Sequence, residues 1–253
     1  MIARARPFLG TIVSIRADAD DDAVRCAFAA IERVHCLMNA HSDHSELARI
    51  NRTAQGRPIR VHRWTYAVLS CALEVSRACG GAFDVTQGRG RAFYADIELL
   101  RGCKVRLRKP TRLDLGGIAK GFAVDQAVEV LRRRGARSGS VNAGGDLRVF
   151  GDAPQKIRVR LPGAPHLAMP LDEARERAFA TSASYFGSRL WDARTRRQRT
   201  IDSSITVSAP SCMVADALTK VIAALGPRRD LLMQFDAQAF LLDRDGNLYE
   251  AGG

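Results

Sequence analysis

LDLGGIAKGFAV, residues 113–124, sets an acid, two adjacent glycines and a lysine where an extended segment passes into an amphipathic helix. Glycines let a ligand approach the main chain, and the N–H groups and dipole at a helix start favour a phosphate. Lys120 can add a point charge to a diphosphate, while Asp114 can accept from a ring N–H or a ribose hydroxyl. The segment is neither a G-x-x-x-x-G-K-[ST] loop nor G-x-G-x-x-G. By itself it also suits an ordinary helix start carrying a surface lysine.

Outward from this junction, the helix runs through Ala123, Ala127, Val130 and Leu131 to a stop at Gly135. Upstream, residues 10–16 alternate as a strand, and Asp20 to Asp22 offer N-caps for a helix with Val24, Ala27, Phe28, Ile31 and Val34 on one face. Helical spacing over 64–79 ends at Gly80-Gly81, and another helix over about 215–225 stops at Gly226-Pro227. SVNAGGDLRVFG (140–151), KIRVRL (156–161), RAFATSAS (177–184) and SITVSAP (204–210) read as strands, the first interrupted by glycines that suggest a bulge or close backbone approach. AFLLDRDGNLYE (239–250) reads as a closing hairpin with Asp245-Gly246 in a tight primed turn. With no repeat, low-complexity tract or linker, the expectation is a single α+β domain over residues 1–253, with mixed sheets packed by helices.

The 253 residues are 46% hydrophobic and 26% charged, which excludes a disordered tail or a fibre. A net charge of +12 suits an anionic partner, but no basic run is interleaved with aromatics, so nucleic acid is not the expected one. No stretch reaches the length of a membrane span and no secretory leader is evident, which points to the cytoplasm unless a leader was removed. Cysteines 26, 36, 71, 79, 103 and 212 form no C-x-x-C pair and are expected to be mostly buried, reduced thiols.

Other features have two readings each. In GGAFDVTQG (80–88), Asp84 is a ligand contact or an Asx-turn residue; Asp146 after the glycine pair is a site acid or a turn cap. His35, His41 and His44 beside Asp43 suggest a metal site or a solvated loop, the latter preferred because no H-E-x-x-H spacing is present. There is no G-x-S-x-G elbow for a serine hydrolase.

Taken in order, FLGTIVSI (8–15), MNAHSDHSELARIN (38–51), GGAFDVTQG, LDLGGIAKGFAVDQAVEVL (113–131), SVNAGGDLRVFG, ATSASYF (180–186) and SITVSAPSCMVADALTKVIAALG (204–226) resemble the ApbE family of FAD:protein FMN transferases. The resemblance implies an ApbE-like fold that uses FAD as substrate. With magnesium, FMN is moved to a Thr or Ser hydroxyl of a target flavoprotein and AMP is released, although some relatives hydrolyse FAD instead. It assigns His41, Ala82, Phe83, Asp84, Asp114, Lys120 and Leu190 to the FAD site. It assigns Gly117, through its carbonyl, and Asp216 to the metal, with Thr219 as an adjacent oxygen; Asp216 and Lys220 are the catalytic candidates.

Four departures accompany the match. The metal-binding Thr of the family, four residues after the Asp, is Lys220 here, with Thr219 adjacent. The H-x-x-D-P-x-T-G segment reads RLWDARTR (189–196), so Arg189 stands where a histidine is expected. The usual aromatic is His41, and the stretch from Thr86 to Leu113 is short. These changes leave a modified transferase, a flavin-binding accessory protein and a basic polyanion-binding domain as the readings to separate.

Overall fold

The computed structural model describes residues 1–88, 92–183, 190–192, 197–199 and 203–252, with 190–192 and 197–199 as backbone alone. Strands β1 (Ile2–Phe8) and β2 (Thr11–Ala17) open the chain as a hairpin, in which Val13, Ile15 and Ala17 alternate onto the core face. Leu9 and Gly10 make its two-residue turn at φ of 55° and 72°, the paired positive angles of a primed turn. Helix α1 (Asp21–Met38) begins at Asp20, whose carboxylate accepts from Ala23 N–H at 2.7 Å, and buries the expected face from Val24 to Val34.

A helix that the sequence reading did not include, α2 (Glu46–Thr53), follows the His41–His44 stretch, capped by Ser45 with Leu47 and Ile50 fully buried. Eight residues are too few for periodicity to register. Strand β3 (Ile59–Arg60) leads into α3 (Arg63–Ala78), then β4 (Ile97–Leu100) and β5 (Lys104–Leu107) pair with it in a small sheet ordered β3-β5-β4.

Helix α4 (Ala119–Arg133) is followed by β6 (Gly139–Ala143), β7 (Asp146–Phe150), β8 (Gln155–Leu161), β9 (Ala164–Ala174) and β10 (Arg177–Ser182). The chain continues through β11 (Leu190–Asp192), β12 (Arg197–Arg199), β13 (Ser204–Ala209), α5 (Cys212–Leu225), α6 (Arg229–Gln234), β14 (Gln238–Leu242) and β15 (Leu248–Gly252). The main sheet is ordered β1-β2-β6-β7-β10-β13-β14-β15. Every pairing of these strands is antiparallel, and an isolated bridge from Gln55 to Leu107 is the parallel element among the described residues.

Helices α1, α4 and α5 cover one face of this sheet. Ala178 and Ala180 of β10 point into their core, while Phe179 points oppositely and packs with Val149 and Ile157 beneath the β8–β9 hairpin. Burial on both faces explains why β13 is buried along its whole length.

Three expectations change. SVNAGGDLRVFG is not one interrupted strand: Gly144 and Gly145, at φ of 63° and 102°, turn β6 into β7. The closing hairpin turns through residues 243–247, where the Asp243 carboxylate accepts from the Asp245 and Asn247 N–H groups, so it is wider than a two-residue turn. Only Cys71, Cys79 and Cys212 of the six free cysteines are buried. No described helix is long and apolar enough to cross a membrane.

Helix α3 carries a pH-sensitive cap. His62 Nδ1 accepts from Trp64 N–H at 3.1 Å, and burial, then the Arg33 charge, lowers the ring's pKa below its ordinary 6.5. A protonated ring cannot accept, so the cap's stabilisation is present above the unfolded-state pKa and is lost as pH falls through the lower folded value. The urea midpoint is expected to fall between about pH 7 and about pH 5 by more in the wild type than in His62→Asn, which caps without titrating. Parallel slopes for the two proteins would remove His62 as the cause.

Candidate functional site

The Leu113–Gly117 turn is held from two sides. Asn51 of α2 donates to Leu113 carbonyl at 3.1 Å and accepts from Leu113 N–H at 2.7 Å. Asp114 N–H donates to Val85 carbonyl at 2.8 Å, and the Asp114 carboxylate accepts from Gln87 at 3.0 Å and Gly116 N–H at 2.9 Å. Segments about thirty residues apart in sequence thus form one wall.

Behind that wall, a Cβ on Gly117 would lie 3.2 Å from Phe83 Cε2 and 3.6 Å from Lys220 Cε. Phe83, Gly117 and Lys220 are therefore packed together, joining three of the recognised motifs. Helix α4 starts at this point without a side-chain cap. Its Gly121 lies so close to α5 that a Cβ there would be 2.2 Å from Cys212 carbonyl oxygen.

Two acids and two lysines meet at the α4–α5 contact. Lys120 Nζ lies 2.6 Å from Asp146 Oδ2. The Lys220 ammonium pairs with Asp216 Oδ1, and Asp216 Oδ2 accepts from Gly121 N–H at 3.3 Å. The side chains of Asp146 and Asp216 are 1% and 0% exposed, those of Lys120 and Lys220 29% and 20%, so the charges are buried on the acid side and reach outward as ammonium groups. Burial raises the Asp146 pKa to about 7, helped by the Asp216 charge and opposed by Lys120 and Lys220. For Asp216 burial also acts upward, but Lys220 and Lys120 outweigh it and hold the carboxyl below its ordinary value. Burial alone would lower the Lys120 pKa; Asp216 and Asp146 reverse that and raise it.

Lys120 opens onto a cavity of about 430 Å³ shared with Leu9, Val34, His35, Met38, His41, Asp114 and Gly116. A larger one of about 790 Å³ meets it at Gly10 and runs along Thr11, Asn142, Gly144, Arg158 and Thr181. His41, Asp114 and Lys120, three of the residues that the resemblance assigns to the FAD site, line this one cavity.

Ala82, Phe83 and Asp84 are buried behind the wall and do not line either cavity. Asp84 accepts from Thr86 N–H and Tyr94 N–H, both at 2.8 Å, so the Asx-turn reading describes its geometry. His35 belongs to α1 rather than to a solvated loop, and among the described residues no three His, Cys, Asp or Glu side chains are placed to hold a metal ion. Leu190 lies in β11 as backbone, and Arg189 and Thr195 lie outside the described residues.

The oxygen set expected for magnesium does not fit one. Both Asp216 oxygens have protein partners. Thr219 hydroxyl donates to Asp216 carbonyl at 2.8 Å and so accepts from Ser182 at 2.8 Å, with no exposure. Magnesium needs near-octahedral oxygen coordination and retains several waters. A divalent ion about 4 Å from the Lys220 ammonium would meet a repulsion of about 8 kcal/mol at an effective dielectric constant near 20.

Two further acids shape this region. Asp146, readable as a turn cap, is the partner that holds Lys120. Asp125 of α4 accepts from Cys212 and Met213 N–H, both at 2.9 Å, and pairs with Arg148 at 2.7 Å, thereby capping α5 across the helix contact. A capping acid 87 residues from the helix start leaves no local pattern.

The sequence model of the ApbE family matches residues 9–241. The chain is similar to FAD:protein FMN transferase of Vibrio cholerae, at 27% identity over 79% of this chain and 72% of that protein. It is also similar to FAD:protein FMN transferase of Haemophilus influenzae, at 26% identity over 80% and 72%. In fold it matches flavin transferase ApbE from Vibrio cholerae, with a TM-score of 0.84 and 22% identity over 99% of this chain and 96% of that one. The ApbE protein of Thermotoga maritima gives a TM-score of 0.83 at the same identity and coverage.

Proposed function

The chain belongs to the ApbE family, and on that premise we propose that it is an FAD:protein FMN transferase, moving FMN from FAD to a Thr or Ser hydroxyl of a target flavoprotein and releasing AMP. The observation that supports this reading most directly is Lys120, fixed by buried Asp146 and directed into a cavity that also presents Asp114 and His41. A free lysine would lose several rotamers on binding an anion; one already paired from behind loses fewer.

In this reading, Val34, Met38 and His41 receive a ring system of FAD, and Asp114 accepts from its polar edge. The hydroxyl oxygen of the acceptor attacks the phosphorus of the FMN half. A P–O bond forms there as the P–O bond to AMP breaks; the hydroxyl proton leaves to solvent, and AMP departs as a phosphate monoester. Phosphoryl transfer of this kind needs chiefly positioning and stabilisation of charge on the non-bridging oxygens, which the Lys120 ammonium and the uncapped α4 start supply. No step requires a metal held by Asp216 and Thr219, whose oxygens are already engaged.

Purified protein mixed with FAD and flavin-free candidate flavoproteins is expected to give one AMP per protein-bound FMN, read by nucleotide chromatography and in-gel flavin fluorescence. AMP with free FMN and no protein-bound flavin would favour hydrolysis. Absence of AMP with every acceptor would reject both activities.

A further inference from the structure

We propose that the chain supplies its own cation at the place its relatives give to a divalent metal: the Lys220 ammonium on Asp216, so that FAD is bound without magnesium. The inference rests on the flavin transferase reading, and three features of the structure carry it.

The first is position. Lys220 follows Asp216 by one helical turn on α5, which directs its stem along the same face and sets its ammonium on Asp216 Oδ1. Its Cγ and Cε also lie against Gly117, so the stem runs past the glycine turn to reach the carboxylate, and both of these were expected to provide metal oxygens. The second is charge. Asp146 and Asp216 are two buried carboxylates, and Lys120 and Lys220 neutralise them one for one. A buried acid requires such a partner, and here the protein provides it covalently. A divalent ion added to that balanced set would leave an excess of positive charge in the interior. The third is satisfaction: the remaining Asp216 oxygen and the Thr219 hydroxyl are held by Gly121, the Asp216 carbonyl and Ser182.

Lys220 differs from Lys120 in what it can do. Lys120 is on the wall of the cavity, whereas Lys220 is packed against Gly117 and contributes its charge to the site without lining the cavity. It is a fixed point charge rather than a Lewis acid, because an ammonium cannot share an oxygen's electron pair.

The test uses the whole protein freed of metal with EDTA. FAD titrations followed by flavin fluorescence are expected to give dissociation constants within twofold of each other in EDTA and in magnesium. In parallel, manganese added to the protein without FAD is expected to show the free-ion electron paramagnetic resonance signal in full. Lys220→Thr is expected to lose at least tenfold in FAD affinity in EDTA, to regain it with magnesium, and to take up about one manganese per chain. Lys220→Met, which keeps the stem and removes the charge, is expected to bind weakly in both buffers. A wild-type affinity at least tenfold tighter with magnesium, or one tightly bound manganese per wild-type chain, would overturn the proposal while leaving the transferase reading in place. Absence of FAD binding in either buffer would instead overturn the transferase reading and this proposal with it. The two wild-type measurements decide the matter even where Lys220→Thr fails to fold.

Discussion

Exchanging Lys120 for methionine is expected to slow FMN transfer by about 10²- to 10³-fold, the usual cost of removing one fixed charge from a transition state. The stem of methionine preserves most of the packing, so the loss reports on the ammonium. Folding changes in a separate and pH-dependent way. Asp146 keeps its burial but loses the ion pair at 2.6 Å, which raises further a carboxyl that already titrates near pH 7.

For an acid with a raised folded pKa, the native state holds the proton more tightly than the unfolded state. Stability therefore falls as pH rises from the unfolded value, near 3.8, to the folded one. In the wild type this decline ends near pH 7, whereas in Lys120→Met it continues upward. Urea midpoints across that range are expected to separate progressively on the alkaline side, and adding Asp146→Asn is expected to restore them without restoring transfer. If the double variant recovered activity together with stability, Lys120 would be a structural residue only.

Gly121→Ala is the second large effect, and here two physical terms have opposite signs. Helix propensity favours alanine over glycine by about 1 kcal/mol in the interior of a helix. Packing opposes it: the new methyl would sit 2.2 Å from Cys212 oxygen, 2.5 Å from its carbon and 2.8 Å from Met213 nitrogen, all of them backbone. No rotamer change relieves such contacts, so α4 and α5 must move apart. The expected result is a net loss of about 3 kcal/mol, which for a chain of this size lowers the melting temperature by about 6–12 °C. Separation also breaks the Gly121 N–H contact to Asp216 and the Asp125 caps on α5, so FAD affinity falls with stability. An unchanged or raised melting temperature would show that the helices can separate freely.

The helices α1, α3 and α4, legible in the sequence, are fifteen residues or longer, and α3 and α4 end in local stop signals at Gly80 and Gly135. Local periodicity and caps suffice for such elements. The start of α5 was placed three residues late because its first turn is capped from α4 by Asp125 as well as by Ser211. Helix α2 was missed because its apolar face is a few residues wide, and β9 because its residues are mostly exposed or half-buried and show no regular alternation.

Within the site, the residues on the 113–124 stretch stood out only together with the other ordered motifs, since glycine, acid and lysine at a helix start also suit an ordinary helix start. Asp84 belonged to the same kind of motif but is turned into the loop, where two N–H groups engage its carboxylate. Which way such an acid faces depends on Tyr94, ten residues later, as well as on the neighbouring Thr86.

Periodicity, which uses neighbours within one or two turns of chain, was enough to indicate an α+β chain, while the resemblance carried by seven motifs in order indicated the ApbE family and marked Lys120 and Asp114 as candidates. Pairing Lys120 with Asp146, seating Lys220 on Asp216 against Gly117 and closing α5 with Asp125 were decided in three dimensions. The physical reason is that a buried charge must find its counter-charge or N–H donors wherever the packed sheet and helices place them, and that distance in space bears no fixed relation to distance along the chain.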